Sequence, residues 1–283
     1  GFFKKESLEV ESHIATLAPE HNDEMAAGRW NMTLSSADTM IARSTKEGVD
    51  YVMFMQAEEG LGAYLIGQPG ITSVEDLRGK LLAADPVDSN LDVIRMKIMR
   101  EHGMMEDDYT YEIIGNTPKR AEAFLEGRVA AAMLTPPSSD KIIASGGVLL
   151  ADGDDYVPNW PLACGWSLRS WVEENRETVV RFIRAWSASC DWLLKPENKA
   201  ETIDILMRQQ GLTQERAEHA YVRVVPKGCI NPDAIRQNME LRIELGLYPP
   251  PHHSAEQFYD TSYWCEATGL TAPAAGGKPK NAA

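Results

Sequence analysis

Apolar and polar residues follow two rhythms along this chain. As far as about residue 151, short apolar runs of strand character alternate with stretches at helical spacing. The runs predict strands at Leu8–Ser12, Met32–Leu34, Val49–Met55, Ala63–Ile66, Leu81–Ala84, Tyr109–Ile114, Ala130–Leu134 and Val148–Ala151. Helices are predicted between them at Asn22–Ala27, Ala37–Lys46, Ser89–His102, Lys119–Glu126 and Ser138–Ala144. This alternation predicts an α/β fold with largely parallel sheets. After Ser170 the rhythm becomes helical, through residues 171–210, Gln214–Val225 and Asp233–Leu247.

Turn chemistry sharpens the pattern. In "ITSVEDLRGKLLAADPVDSN" (71–90), Thr72 or Ser73 caps a short turn, with Asp76 at the capping-box position and Gly79 ending it. A strand follows and is halted by Asp85-Pro86, and Asp88-Ser89-Asn90 forms the cap of a longer helix. A weak internal echo links "AAGRWNMTLSSAD" (26–38) with "LEGRVAAAMLTPPSSD" (125–140). Each runs from a helix end through Gly-Arg (Gly28-Arg29, Gly127-Arg128) into a strand and then a hydroxyl-bearing loop. Two α/β lobes of similar plan are the expectation, with ligand-binding loops where strand ends feed helix starts.

Composition narrows the function classes. A length of 283 residues, 43% hydrophobic, suits one large or two medium domains with full cores. The net charge of −14 disfavours nucleic acid and anionic membranes as partners. No apolar run approaches the roughly 20 residues of a bilayer span, so no membrane insertion is expected. The four cysteines, Cys164, Cys190, Cys229 and Cys265, lie far apart and suit burial as small apolar residues, with room for one incidental disulfide. His252-His253 has no third ligand spaced nearby, so no metal site is assigned. Cys164 has no His placed in sequence to activate it, and no phosphate loop, dinucleotide fingerprint or nucleophile elbow is present. No catalytic residue and no cofactor is therefore assigned. The chain opens at Gly1 without a methionine, as expected of a processed or trimmed N-terminus, and the Ala/Gly/Pro/Lys-rich tail after Leu270 is expected to be disordered.

Five segments in order carry a family resemblance: "GFFKKESLEVE" (1–11), "AAGRWNMTLSSADTMI" (26–41), "GITSVEDLRGKLLAADPVDSN" (70–90), "AEAFLEGRVAAAMLTPP" (121–137) and "WVEENRETVVRFIRAW" (171–186). They resemble solute-binding proteins of ABC importers, in the nitrate/sulfonate/taurine and NMT1/THI5-like group. The resemblance implies a type II periplasmic-binding-protein fold, two α/β lobes with a cleft between them. Carried onto this chain, lobe one comprises 1–66 plus 165–283 and lobe two 67–164, with crossings at Leu65–Gln68 and Ala163–Ser167. It implies capture of a small organic ligand, aromatic, heterocyclic or bearing a sulfonate or carboxylate, for an ABC transporter permease. It further implies a periplasmic or extracytoplasmic location and a monomer. The alternative is an enzyme on the same fold, thiamin-pyrimidine-synthase-like or decarboxylase-like. The chain departs from the family in two ways. The family's usual strand and helix before "GFFKKE" do not precede it here, as expected either of a truncated chain or of an incomplete lobe one, and Asn31 and Ala130 replace the Asp of the two G-x-x-D segments.

The candidate ligand-binding residues follow from this frame. Ser35 and Ser36, Ser89 and Asn90, and Thr135 open three helices and are either plain caps or polar ligand contacts. Trp160 beside Asn159 offers a flat apolar face or core packing, and Trp30 opens a strand with the same two readings. In "QAEEGLGAY" (56–64), Gly60 and Gly62 allow close backbone approach, and Glu58 or Glu59 either meets a ligand amine or is solvated.

Overall fold

The computed structural model describes residues 1–13 and 18–273. Among the described residues, eight strands form two sheets: β1 (Thr33–Ser35), β2 (Tyr51–Glu58), β3 (Tyr64–Gly67), β4 (Leu81–Ala84), β5 (Thr110–Ile113), β6 (Ala131–Leu134), β7 (Val148–Asp152) and β8 (Ala163–Leu168). The chain divides into two compact units. Unit 1 is Gly1–Glu59, Pro161–Met239 and Pro250–Ala283; unit 2 is Gly60–Trp160 and Glu240–Pro249.

Unit 1 holds a three-stranded antiparallel sheet in the order β1-β8-β2. The centre strand β8 lies where the sequence reading places a crossing. Its Gly165 is packed so closely that an added Cβ would lie 2.6 Å from Met55 Cγ. Behind the sheet, Val52, Phe54 and Met55 share a core with Val179, Phe182 and Ile183 of the Arg176–Leu193 helix and with Trp264. The helical pattern after Ser170 is thus a stripe that buries itself against β2.

Unit 2 holds a five-stranded mixed sheet, β5-β4-β6-β3-β7, in which β4 runs parallel to β5 and β6 while β3 is antiparallel to β6 and β7. The sheets are therefore not largely parallel. Parallel pairing joins β4 to β5 and to β6, with a helix between each consecutive pair of these strands, and the other printed pairings are antiparallel. Strand β3 pairs inside unit 2, and the two units divide in sequence at Glu59/Gly60 and Trp160/Pro161. A further boundary falls inside the Pro232–Glu244 helix, between Met239 and Glu240.

The local punctuation matches closely. Gly28 and Gly127 both stand at φ 69°. In each turn the glycine N–H donates three residues back (Met25 O, Phe124 O) and the following arginine N–H five back (Glu24 O, Ala123 O), so the echo is one repeated helix stop. Asp76 Oδ2 accepts from the N–H of Thr72 and Ser73 at 2.9 and 3.1 Å, which holds its carboxyl below the usual range. Leu8–Ser12 is not a strand, since its N-terminal half packs as irregular chain and finds no strand partner among the described residues. Thr271–Pro273 are irregular, and the rest of the tail lies outside the described residues.

Candidate functional site

Because β3 is antiparallel to its neighbours, its start meets their ends. Tyr64 pairs with Leu134 at the end of β6 and with Asp152 at the end of β7, and β4 and β5 finish in parallel register on the same edge. One edge of unit 2 therefore gathers the corners at Asp85–Asn90, Asn116–Thr117, Thr135–Ser139, Gly60–Ala63 and Gly153–Trp160. Such an edge, where strand ends feed helix starts, is the binding side of α/β sheets.

Each corner is braced by its own chemistry. Ser89 caps the Asn90–Glu101 helix, its Oγ accepting from Asp92 N at 3.2 Å, and Asn90 Oδ1 accepts from Leu91 N at 2.9 Å. Both residues remain half-exposed. Thr135 does not cap; Pro137 occupies that position without a side-chain bond, and Thr135 Oγ1 instead lies 3.2 Å from Thr117 Oγ1. Gly60, at φ 86°, turns the entering chain so that its N–H donates to Trp160 O at 2.8 Å. Leu61 N then donates to Asp154 Oδ1 at 2.7 Å. The Trp160 side chain is 2% exposed, and Asn159 is half-exposed beside it.

At the centre stands Arg120, with no exposed surface. Its Nε donates to Met133 O at 2.9 Å, its Nη2 to Thr117 Oγ1 at 3.0 Å, and its Nη1 to the Asp85 carboxylate and Gly115 O. One guanidinium thus ties together the chain at the ends of β4, β5 and β6. Burial pulls its pKa down and Asp85 pushes it back up.

Unit 1 gathers a second polar edge. Ser35 pairs with Cys164, Glu58 with Ala163, and Ala37 N donates to Pro161 O, so the ends of β1 and β2 meet the start of β8. Ser36 caps the Ala37–Glu47 helix, accepting from Asp38 N at 3.2 Å. The buried Asp38 carboxylate accepts from Asn238 Nδ2 at 3.1 Å. Gln56 Oε1 accepts from Asn231 N at 3.1 Å, and Asn231 Nδ2 reaches Glu59 Oε2 at 3.4 Å. Burial raises the pKa of neighbouring Glu58, and Arg223 partly opposes it. Trp30 stands in a bend before β1 rather than opening a strand; its indole N–H donates to Glu24 at 2.7 Å and its ring lies 4.8 Å from that of His13.

Of the ten candidates, Gly60, Ser89, Asn90, Thr135, Asn159 and Trp160 thus belong to the unit 2 edge, and Ser35, Ser36 and Glu59 to the unit 1 edge. Sequence reasoning missed Arg120, Asp154 and Asn238, and it read Asp85 only as a strand stop and Asp38 only beside the Ser36 cap. A readable sign was present in the Pro232–Glu244 helix, where Asn238 and Arg242 fall on the stripe of Ile235, Met239 and Leu245 and must be buried with partners. Among the described residues no group of three or more His, Cys, Asp or Glu is placed to hold a metal ion. No described helix is long and apolar enough to cross a membrane.

Comparisons with known proteins agree with this architecture. Residues 1–200 match the family described as NMT1/THI5 like. No curated protein matches the sequence significantly. Among solved structures, the ligand-binding component of an ABC-type import system from Staphylococcus aureus, with zinc bound, superposes with a TM-score of 0.74 at 14% identity, covering 94% of this chain and 93% of its own. A periplasmic sulfonate-binding protein from Methylobacillus flagellatus KT gives 0.72 at 16%, covering 95% and 84%. A Candida albicans protein described as having the generic periplasmic binding protein fold gives 0.75 at 12%, covering 92% and 89%. At these identities the likeness is one of fold.

Proposed function

Given that the chain belongs to the NMT1/THI5-like family, we propose that it is an extracytoplasmic solute-binding protein that captures a small organic ligand and delivers it unchanged to an ABC importer. The observation that carries this reading is the convergence of capped helix starts and strand ends on one edge of the unit 2 sheet, braced from within by Arg120. Such an edge presents hydroxyl and amide groups to a solute and needs no reactive group. Ser89, Asn90, Thr135 and Asn159 are the polar anchors in unit 2, and Ser35, Ser36 and Glu59 those of unit 1. Gly60 and the ring of Trp160 shape the corner from behind. The proposed ligand is an aromatic or heterocyclic solute, or one bearing a sulfonate or carboxylate. The import systems named for two neighbours support a transporter permease as the partner.

A thermal-shift screen over alkanesulfonates, taurine, nitrate, aminopyrimidines and aromatic carboxylates tests the reading. A solute at 100 times its dissociation constant stabilises the native state by about 2.7 kcal/mol. A shift confirmed by calorimetric titration, and weakened in Ser89→Ala, supports it. A solute that is consumed on incubation overturns it in favour of an enzyme on this fold.

A further inference from the structure

The Asp88–Asn90 corner contains a residue in an unusual backbone state. Asp88 stands at φ 68°, a left-handed conformation uncommon outside glycine, which Asp adopts more readily than most residues and which its partners here fix. Two restraints meet at this residue. Its N–H donates to Asp92 Oδ2 at 2.9 Å, and its carboxylate is paired with Arg242 Nη2. Asp92 is in turn fixed by the buried Arg95, whose Nη2 lies 2.7 Å from Asp92 Oδ1, so the first restraint is rigid.

Arg242 comes from far along the chain. It lies in the Glu240–Pro249 segment, which leaves the helical C-terminal region to join unit 2, and it has no exposed surface. The same segment is strapped along the Asn90–Glu101 helix. Arg100 Nη1 donates to Glu244 O at 2.9 Å, and Lys97 Nζ lies 3.3 Å from Glu244 Oε1. Arg100 Nη2 also reaches Leu245 O at 3.3 Å, so these ties run along the helix away from its start. The Arg242–Asp88 pair joins this segment to the corner where the helix starts. A buried guanidinium is costly to desolvate, and its placement here is explained by what it holds.

We propose that Arg242 is a positioning residue for the ligand-facing start of the Asn90–Glu101 helix, clamping Asp88 in its left-handed conformation so that Ser89 and Asn90 present their polar groups at the sheet edge. The corner's ligand-facing role rests on the function proposed above; the clamp itself is tested without any ligand, so the two fail separately. Hydrogen exchange is followed in the peptide spanning residues 85–93, which contains the bonded amides of Asp88, Ser89, Asp92 and Val93. In Arg242→Met, loss of one charge-assisted bond should speed exchange there roughly tenfold to a hundredfold, while peptides from the Arg176–Leu193 helix keep their rates. Arg242→Lys, which retains the charge, should recover much of the protection. Unchanged exchange at 85–93 in Arg242→Met overturns the proposal. So does a uniform acceleration across both units, which would make Arg242 a general stabiliser.

Discussion

Replacing Arg120 with methionine keeps the side-chain stem and removes the guanidinium that ties three strand ends together. The loss can be worked from its partners. Met133 O and Gly115 O each lose their N–H donor from Arg120, and the Asp85 carboxylate, with its side chain 16% exposed, keeps a charge with little water to replace the cation. Breaking a buried pair by removing one member costs about 3–5 kcal/mol. For a unit of roughly 100 residues each kcal/mol shifts the midpoint by about 4–8 °C, so the unit 2 transition should fall by roughly 12–40 °C in scanning calorimetry. The double variant Arg120→Met/Asp85→Asn removes the stranded charge and should be more stable than the single variant by about 1–2 kcal/mol. A single variant within about 1 kcal/mol of the parent, or a double variant in which the two losses simply add, would refute the claim that Arg120 holds this edge together.

Three further outcomes follow from burial and charge. The Glu58 carboxyl is raised by burial, so its native form binds a proton more tightly than its unfolded form; stability should fall as pH rises through the native value, and Glu58→Gln should raise the melting temperature near pH 7 while leaving it unchanged near pH 4. A melting temperature lowered near pH 7 would contradict this. Trp160→Ala should lose about 3–5 kcal/mol by denaturant titration because the ring is 2% exposed, and a loss below about 1 kcal/mol would show that the ring packs little. Burial pushes the Cys190 thiol up to about 11 and the Cys229 thiol up to about 12, and raises that of Cys164 as well. An aromatic disulfide reagent should therefore modify the half-exposed Cys265 first in the native protein, and prior reaction of Cys164 would contradict its burial.

The local signals in the sequence were strong where the physics is local. Caps at Ser36 and Ser89, the Asp76 capping box and the Gly28 and Gly127 helix stops depend on residues within one turn, and the structure places each as its chemistry requires. What depended on pairing at long range was harder to read. Strand β8 carries Cys164, Gly165 and Trp166 without the alternation that marks a half-buried strand, because all three are buried, so it read as a connection. The direction of β3 could not come from "YLIG" alone, since register and direction are set by partners 64 to 88 residues away. The same holds at the candidate site. Hydroxyls that open helices were visible, but Arg120 with Asp85, Asn238 with Asp38 and Arg242 with Asp88 are 35, 200 and 154 residues apart. Only the misfit of a polar residue on an apolar helical stripe marks them in advance.

Holding and releasing a small solute without chemical change is the activity proposed for this protein, and one measurement tests it directly. Protein is incubated with the solute that shifts its melting temperature most, freed of excess by dialysis, and unfolded to release what it holds; the released mass and amount are then read by mass spectrometry. One equivalent of the original solute per chain is expected, lost in proportion to affinity in Ser89→Ala. Recovery of a new mass, or turnover of solute beyond one equivalent, would contradict it.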